Sequence, residues 1–283
     1  MSTTATPRDL QITPRDLAFG RGQESERWWH GGDPVATAFY NALSLTFPQG
    51  EAYFVQSVRH FLDQAPEPLR GQIADFTQQE AFHSREHMAF NRQVAAAGYE
   101  TRRIDELIRE DIRQTKHEPP EVHVAATAAL EHFTAMLAHA WLADERHFEG
   151  CPEEIRRLWR WHSVEEIEHK GVAFDTFMHA TRELPAYKRW FFRVAVMAQV
   201  TRDFWKERKR DIGLLFQQDG IDTPKTWRRL TAYLFLRPGL LRQVFLPYLT
   251  YYLPGFHPWR HDDRELAARV ERALGLDAAG QPA

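Results

Sequence analysis

From Phe47 onward, apolar side chains recur at three- and four-residue intervals, the spacing that lines one face of a helix. The run GEAYFVQSVRHFLDQ carries this pattern up to Pro66, and Pro48 suits a first helical turn, so a first long helix is predicted from Phe47. Leu69 to Ala97 is a second amphipathic run closed by Gly98, and Ile104 to Thr115 a shorter one ended by HEPPE. Val122 to Phe148 and Pro152 to His179 read as the third and fourth long helices. Strand alternation and hairpin dipeptides are nearly absent, which makes the chain all-α. Residues 1–46 carry TPRDL twice (Thr6 to Leu10, Thr13 to Leu17) among scattered glycines and read as an N-terminal arm. Residues 47–180 read as a four-helix bundle and 181–283 as a C-terminal helical region packed on it, one structural domain overall.

The pattern changes character after Pro185. Tyr187 to Lys209 mixes tryptophan, phenylalanine, arginine and lysine, and FLRPGLLRQVFLPYLTYYLPGFHPW has no charge from Gln243 to Trp259. That run is too short and too broken by proline to cross a bilayer. It reads as short helices over the bundle, with peripheral membrane contact through 230–259 as the alternative, since aromatics flanked by arginine suit an interface. Asp262 to Leu274 is a charged final helix.

Composition narrows the classes. At 43% hydrophobic content, 283 residues supply a sizeable core, and a net charge of −3 gives no basic field for nucleic acid. One cysteine, Cys151, cannot form an intrachain disulfide, and MSTTATPRDL lacks the apolar segment of an export signal, so a cytoplasmic location is expected. The best candidate span, Val122 to Ala143, is interrupted by Glu131.

Glu131 is also the only charged side chain in HVAATAALEHFTAMLAHAWLA. A carboxylate there should face a neighbouring helix, and unpaired it would cost several kcal/mol or take up a proton. A metal is the strongest partner for it; a protonated or arginine-paired structural role is the alternative. The second helix contains Glu80-Ala-Phe-His83 and the fourth contains Glu166-Ile-Glu-His169. Residues three apart lie about 60° from one another on a helix, so each Glu-x-x-His pair can reach one ion. With Glu51 on the first helix, the set is two single glutamates and two Glu-x-x-His pairs, the inventory of ferritin-like di-metal carboxylate bundles. Four carboxylates against two divalent cations leave a neutral cluster, as burial demands. Oxygen and imidazole donors without thiolate suit iron first, with manganese or zinc as alternatives.

His162 stands four residues before Glu166 and offers a third imidazole, a seventh ligand. His87, four after His83, and Glu165, which competes with Glu166 but does not complete Glu-x-x-His, are expected to support the ligands rather than join them. Asp75 and Asp175 are candidate acceptors for ligand imidazoles. Arg85, Glu86, Glu168 and Lys170 fall off the ligand face and read as solvated or as inter-helix salt bridges, and His132 and His139 as structural. Phe76, Phe82, Phe133, Phe174 and Phe177 are either plain core or the wall of an apolar pocket.

In the stretches GDPVATAFYNALSLTFPQGEAYF, QEAFHSREHMAFN, TAALEHFTA, WHSVEEIEHKGVAFDTF and PGLL…PGFHPW the chain resembles a bacterial family of predicted metal-dependent hydrolases with a ferritin-like look, over roughly Trp29 to Trp259. The His-x-x-x-Glu-x-x-His segment is locally similar to that of di-iron arylamine N-oxygenases, where the extra histidine is a ligand. That likeness carries Glu51, Glu80, His83, Glu131, His162, Glu166 and His169 over as metal ligands. The expected function is a di-iron enzyme that activates dioxygen to oxidise or oxygenate a small hydrophobic molecule, with an electron donor as partner. The alternative is a metal-dependent hydrolase using a metal-bound hydroxide, as the family description implies. A homodimer is left open.

Overall fold

The computed structural model describes residues 5–22 and 25–276. Residues 1–4 and 23–24 of the expected arm, and 277–283 of the C-terminal region, lie outside the described residues. The helices are α1 (Pro34–Arg59), α2 (Leu69–Ala96), α3 (Arg102–Gln114), α4 (Pro120–Ala143), α5 (Glu153–His169), α6 (Val172–Ala180), α7 (Ala186–Gln218), α8 (Pro224–Phe235), α9 (Leu240–Thr250) and α10 (Arg264–Leu274). No strand occurs among the described residues, as an all-α bundle requires. None of the helices is long and apolar enough to cross a membrane.

Two helix limits differ from expectation for physical reasons. α1 starts at Pro34, not Phe47, so the N-terminal arm is shorter than residues 1–46. Asp33 caps the helix by accepting from Val35 N (2.8 Å), and almost every side chain from Val35 to Leu45 is buried. Pro48 therefore sits inside a helix rather than in a first turn. A proline there removes the hydrogen bond that its nitrogen would have given to the carbonyl four residues back, on Ser44. Asn91 of α2 supplies the missing donor, its Nδ2 lying 3.0 Å from Ser44 O. The defect in α1 is thus closed by its neighbour, one turn before Glu51.

The expected fourth helix is broken at Lys170 and Gly171 into α5 and α6. Gly171 lets other chain segments approach closely: a Cβ there would lie 2.8 Å from Trp259 Nε1 and 2.9 Å from Thr6 Oγ1. The third helix ends at Ala143 because Asp144 turns away and caps a 3-10 turn at Glu145–Phe148 by accepting from Arg146 N.

Helices α1 and α2 pack side by side, α4 packs along α5 and α6, and α7 lies across α1 and α4. One apolar cluster joins α1, α3 and the ends of α4 and α5 to α7, α8 and α9; a second joins α1, α2, α4 and α6. A smaller one seats α10 on α4 and α5 through Ala267 and Val270. The arm runs along the outside of α2 and α5, anchored by buried Ile12, Arg15 and Phe19. Gly171→Ala should lower unfolding stability by about 1–3 kcal/mol, read from urea denaturation, because the added methyl must displace the Trp259 ring.

Candidate metal centre

Each bundle helix directs at least one ionisable side chain inward. Glu51 comes from α1, Glu80 and His83 from α2, Glu131 from α4, and His162, Glu166 and His169 from α5; all seven are buried. His169 Nε2 lies 3.3 Å from Glu80 Oε1, 3.3 Å from Glu131 Oε2 and 3.5 Å from Glu166 Oε2. His83 Nδ1 lies 3.8 Å from both Glu80 Oε2 and Glu166 Oε1. His162 Nε2 is 2.7 Å from Glu166 Oε1 and 4.0 Å from Glu51 Oε1. Glu80 and Glu166 therefore each turn one oxygen toward His169 and the other toward His83. Three groupings, Glu51/His83/His162, Glu80/Glu131/His169 and Glu80/His83/Glu166, each bring their donor atoms within 4.8 Å of one another and could hold a metal ion.

The outward nitrogens of the imidazoles have protein partners, and these set the tautomers. His83 Nε2–H donates to Glu165 Oε2 (3.0 Å), and His169 Nδ1–H donates to Gln79 Oε1 (2.9 Å). A longer relay orients His162. Ser44 Oγ–H donates to Asn91 Oδ1 (2.7 Å), so Ser44 accepts from His87 Nδ1–H (2.8 Å), and His87 Nε2 accepts from His162 Nδ1–H (2.7 Å). The direction of that chain leaves a lone pair on His162 Nε2, facing the oxygen of Glu166. Two acceptors 2.7 Å apart repel unless a proton or a cation lies between or beside them.

The same demand recurs across the cluster. Both oxygens of Glu80 and of Glu131, Glu51 Oε1, Glu166 Oε2, His83 Nδ1 and His169 Nε2 are buried with no hydrogen-bond partner. Eight orphaned polar atoms facing one another fit a cation site, since isolated orphans are costly and rare. Left to protons alone, burial lifts the Glu131 carboxyl to about 7 and raises Glu51 and Glu80 well above the usual carboxylate range. Burial also pushes His83 down to about 3 and His162 to about 4. At Glu166 burial is outweighed by attraction to His169, and at His169 by attraction to Glu131 and Glu166. Glu166 is thereby held well below its ordinary value and His169 well above. One ion pair and a set of protonated acids is what the side chains achieve unaided; divalent cations would let all four carboxyls ionise.

Other expectations fall differently. Asp175 does not meet a ligand imidazole; it takes Thr6 Oγ1 and His257 (2.5 and 3.0 Å). Of the two readings for Glu86 and Lys170, ion pairing holds and solvation does not: both are buried, Glu86 paired to Arg21 of the arm and Lys170 to Asp263. Of the five phenylalanines, Phe133 lines an apolar cavity, while Phe76 packs edge-on against His169 at 4.8 Å. His132 is buried against Pro247 O and His139 faces Asp263.

Several supporting residues escaped the sequence reading. Arg15, from the second TPRDL copy, bridges α5 and α10. Its backbone N and Nη1 hold Glu165 Oε1 (3.1 and 3.2 Å), and its Nη2 reaches Glu168 and Glu271 (2.6 and 2.5 Å). Trp161 Nε1 donates to the same Glu165 oxygen (3.0 Å), and Ser84 Oγ donates to Glu51 Oε2 (2.9 Å). Repetition of TPRDL was the one visible signal: Thr13 of the second copy donates its N–H to Glu168, as Thr6 of the first reaches Asp175.

Helices, inward carboxylates and inward imidazoles together define an all-helical protein with a buried cluster able to bind metal. The chain belongs to a family described as predicted metal-dependent hydrolases, which matches residues 13–262. A search of curated proteins and one of solved structures each gave no match. Membership in that family overturns the expected preference for an oxygen-activating oxidase or oxygenase over a metal-dependent hydrolase. The donor set is compatible with either chemistry, so ligand types could not decide between them.

Arg15→Ala would leave the buried Glu165 and the half-buried Glu168 without their cation. It should cost about 3–5 kcal/mol of unfolding free energy, measured in urea, with Arg15→Lys recovering part of the loss.

Proposed function

We propose that the protein hydrolyses an ester or related bond in a small hydrophobic substrate, using two divalent cations held by the buried cluster. The observation that carries this reading is the set of orphaned oxygens and nitrogens turned toward one another, in a chain of a metal-dependent hydrolase family. Glu51, His83 and His162 would hold one cation and Glu131 and His169 the other, with Glu80 and Glu166 shared between them. Cations bound there supply Lewis acidity, which makes water nucleophilic near neutral pH and polarises the scissile bond. Manganese, zinc and ferrous iron all suit oxygen and imidazole donors.

The chain's own residues position and protect. Glu165, Gln79 and His87 fix the imidazole planes from outside, and Arg15 and Ser44 fix those partners in turn. A cavity of about 830 Å³ lies between α1, α4, α7, α8 and α9, walled by Phe39, Leu43, Phe133, Leu137, Phe204 and Tyr248 among others. That volume and lining suit a small hydrophobic ligand. Leu43, Phe47 and Glu51 follow at four-residue steps on α1, so Phe47 stands between the cavity wall and the cluster. Its ring lies 4.7 Å from His87 and 4.9 Å from His162, where it keeps bulk water from the imidazoles.

Protein purified without chelator should contain about two metal ions per chain by elemental analysis, in line with the four-carboxylate inventory. Glu131→Ala should lose much of that metal while its circular dichroism stays helical; retention of both equivalents would remove Glu131 from the ligand set. His87→Ala should weaken metal binding about 10–100-fold, by freeing the His162 ring. Hydrolysis of chromogenic acyl esters, assayed anaerobically, should be lost on chelation, return on addition of zinc or manganese, and vanish in Glu80→Ala. An unchanged rate after chelation, or no metal-dependent cleavage across acyl chain lengths, would sink the hydrolytic reading.

A further inference from the structure

Charge is unevenly spread along this chain. Residues 186–253 hold thirteen Lys and Arg against five Asp and Glu, a local excess of eight positive charges in a chain of net charge −3. No acidic residue occurs between Asp222 and Asp262. The same region contains nine of the twelve large hydrophobic side chains that are exposed among the described residues. Basic and apolar side chains so concentrated call for a common surface and a common partner.

The helices display them on one side each. On α9, Arg242, Phe245, Leu246 and Leu249 fall within an arc of about 100° and are all exposed, Leu246 by 70%. On α7, Phe191, Ala195, Ala198, Arg202, Trp205 and Lys209 follow three- and four-residue steps and are all exposed. On α8, Arg228, Thr231 and Phe235 do the same. The apolar cavity ties these faces to one opening, because exposed Trp205, Lys209, Thr231, Phe235 and Phe245 all line it. Arg228, Arg237 and Arg242 have no ion-pair partner among the described residues.

We propose that the outward faces of α7, α8 and α9 form a docking surface for an anionic phospholipid bilayer, with the apolar cavity opening into it. Arginines in the headgroup layer and Phe245, Leu246 and Leu249 at the acyl boundary are the two contributions such a surface needs. Charge selects this occupant. A second copy seated on the same face would bring its exposed, unpaired Arg228, Arg237 and Arg242 against the same three arginines, and like charges across an interface are costly. A nucleic acid would neutralise the arginines but leave the leucines and phenylalanines against water. The surface does not depend on the reaction at the metal centre, since none of these residues touches it.

Vesicle flotation with the full chain tests the surface. Mixed phosphatidylcholine/phosphatidylglycerol vesicles should carry the protein up the gradient, pure phosphatidylcholine should bind about tenfold or more weakly, and added salt should release it. Arg228→Glu combined with Arg242→Glu should weaken binding to the mixed vesicles about tenfold or more, and Leu246→Glu should abolish it. These side chains are exposed, so the variants should unfold at the wild-type temperature, which confirms that the fold is intact. Equal binding to both vesicle types, no flotation with either, or unchanged binding of Leu246→Glu would overturn the proposal. So would a dimer in light scattering that Leu246→Glu dissociates, which would assign the face to a second copy.

Discussion

Four glutamates and three histidines in a dry helical interior impose the constraint around which the rest of the bundle is arranged. Apolar packing alone cannot satisfy them, because each inward oxygen or nitrogen was stripped of water when the helices closed. The outer nitrogens of the imidazoles are met by Glu165, Gln79 and His87, yet the inner atoms face only one another. A cluster organised in this way calls for positive charge and could hold a metal ion. Protons would meet that need in part, at the cost of keeping Glu51 and Glu80 un-ionised, and divalent cations would meet it more fully.

Order spreads outward from this constraint in layers. Glu165 is useful to His83 only while Arg15 and Trp161 keep it still, and Arg15 reaches them from an arm that the bundle helices do not include. On the opposite side, Pro48 opens a gap in the hydrogen bonding of α1, Asn91 fills it, and the Ser44 hydroxyl then orients His87 and, through it, His162. A local irregularity of one helix thereby becomes part of the support of an imidazole. Such supports make the ring positions a property of several segments at once, and none of those segments carries the motif itself.

The region beyond the bundle divides into two kinds of surface. Its inward faces extend the core and wall an apolar cavity beside α1 and α4, while its outward faces gather basic and aromatic side chains around the opening of that cavity. Burial of the carboxylate and imidazole cluster contrasts with the exposure of the apolar rim around the cavity.

Read alone, the sequence determined the helical class and the inventory of chemistry. Glu80-x-x-His83, His162-x-x-x-Glu166-x-x-His169 and the solitary Glu131 are local patterns, and helical periodicity alone says which side chains share a face. The Glu165/Glu166 ambiguity could also be posed from spacing, but only the packing of α2 on α5 shows Glu166 turned to the cluster and Glu165 turned to Arg15. The start of α1 at Pro34 was hidden because Pro48 resembles a helix start until Asn91 is seen filling its vacant partner. Arg15, Gln79, Ser44 and the cavity were not legible for the same reason: each acts across a large sequence separation. Contacts of that kind leave no periodic trace and exist only once the helices, the arm and the C-terminal segments have been brought together.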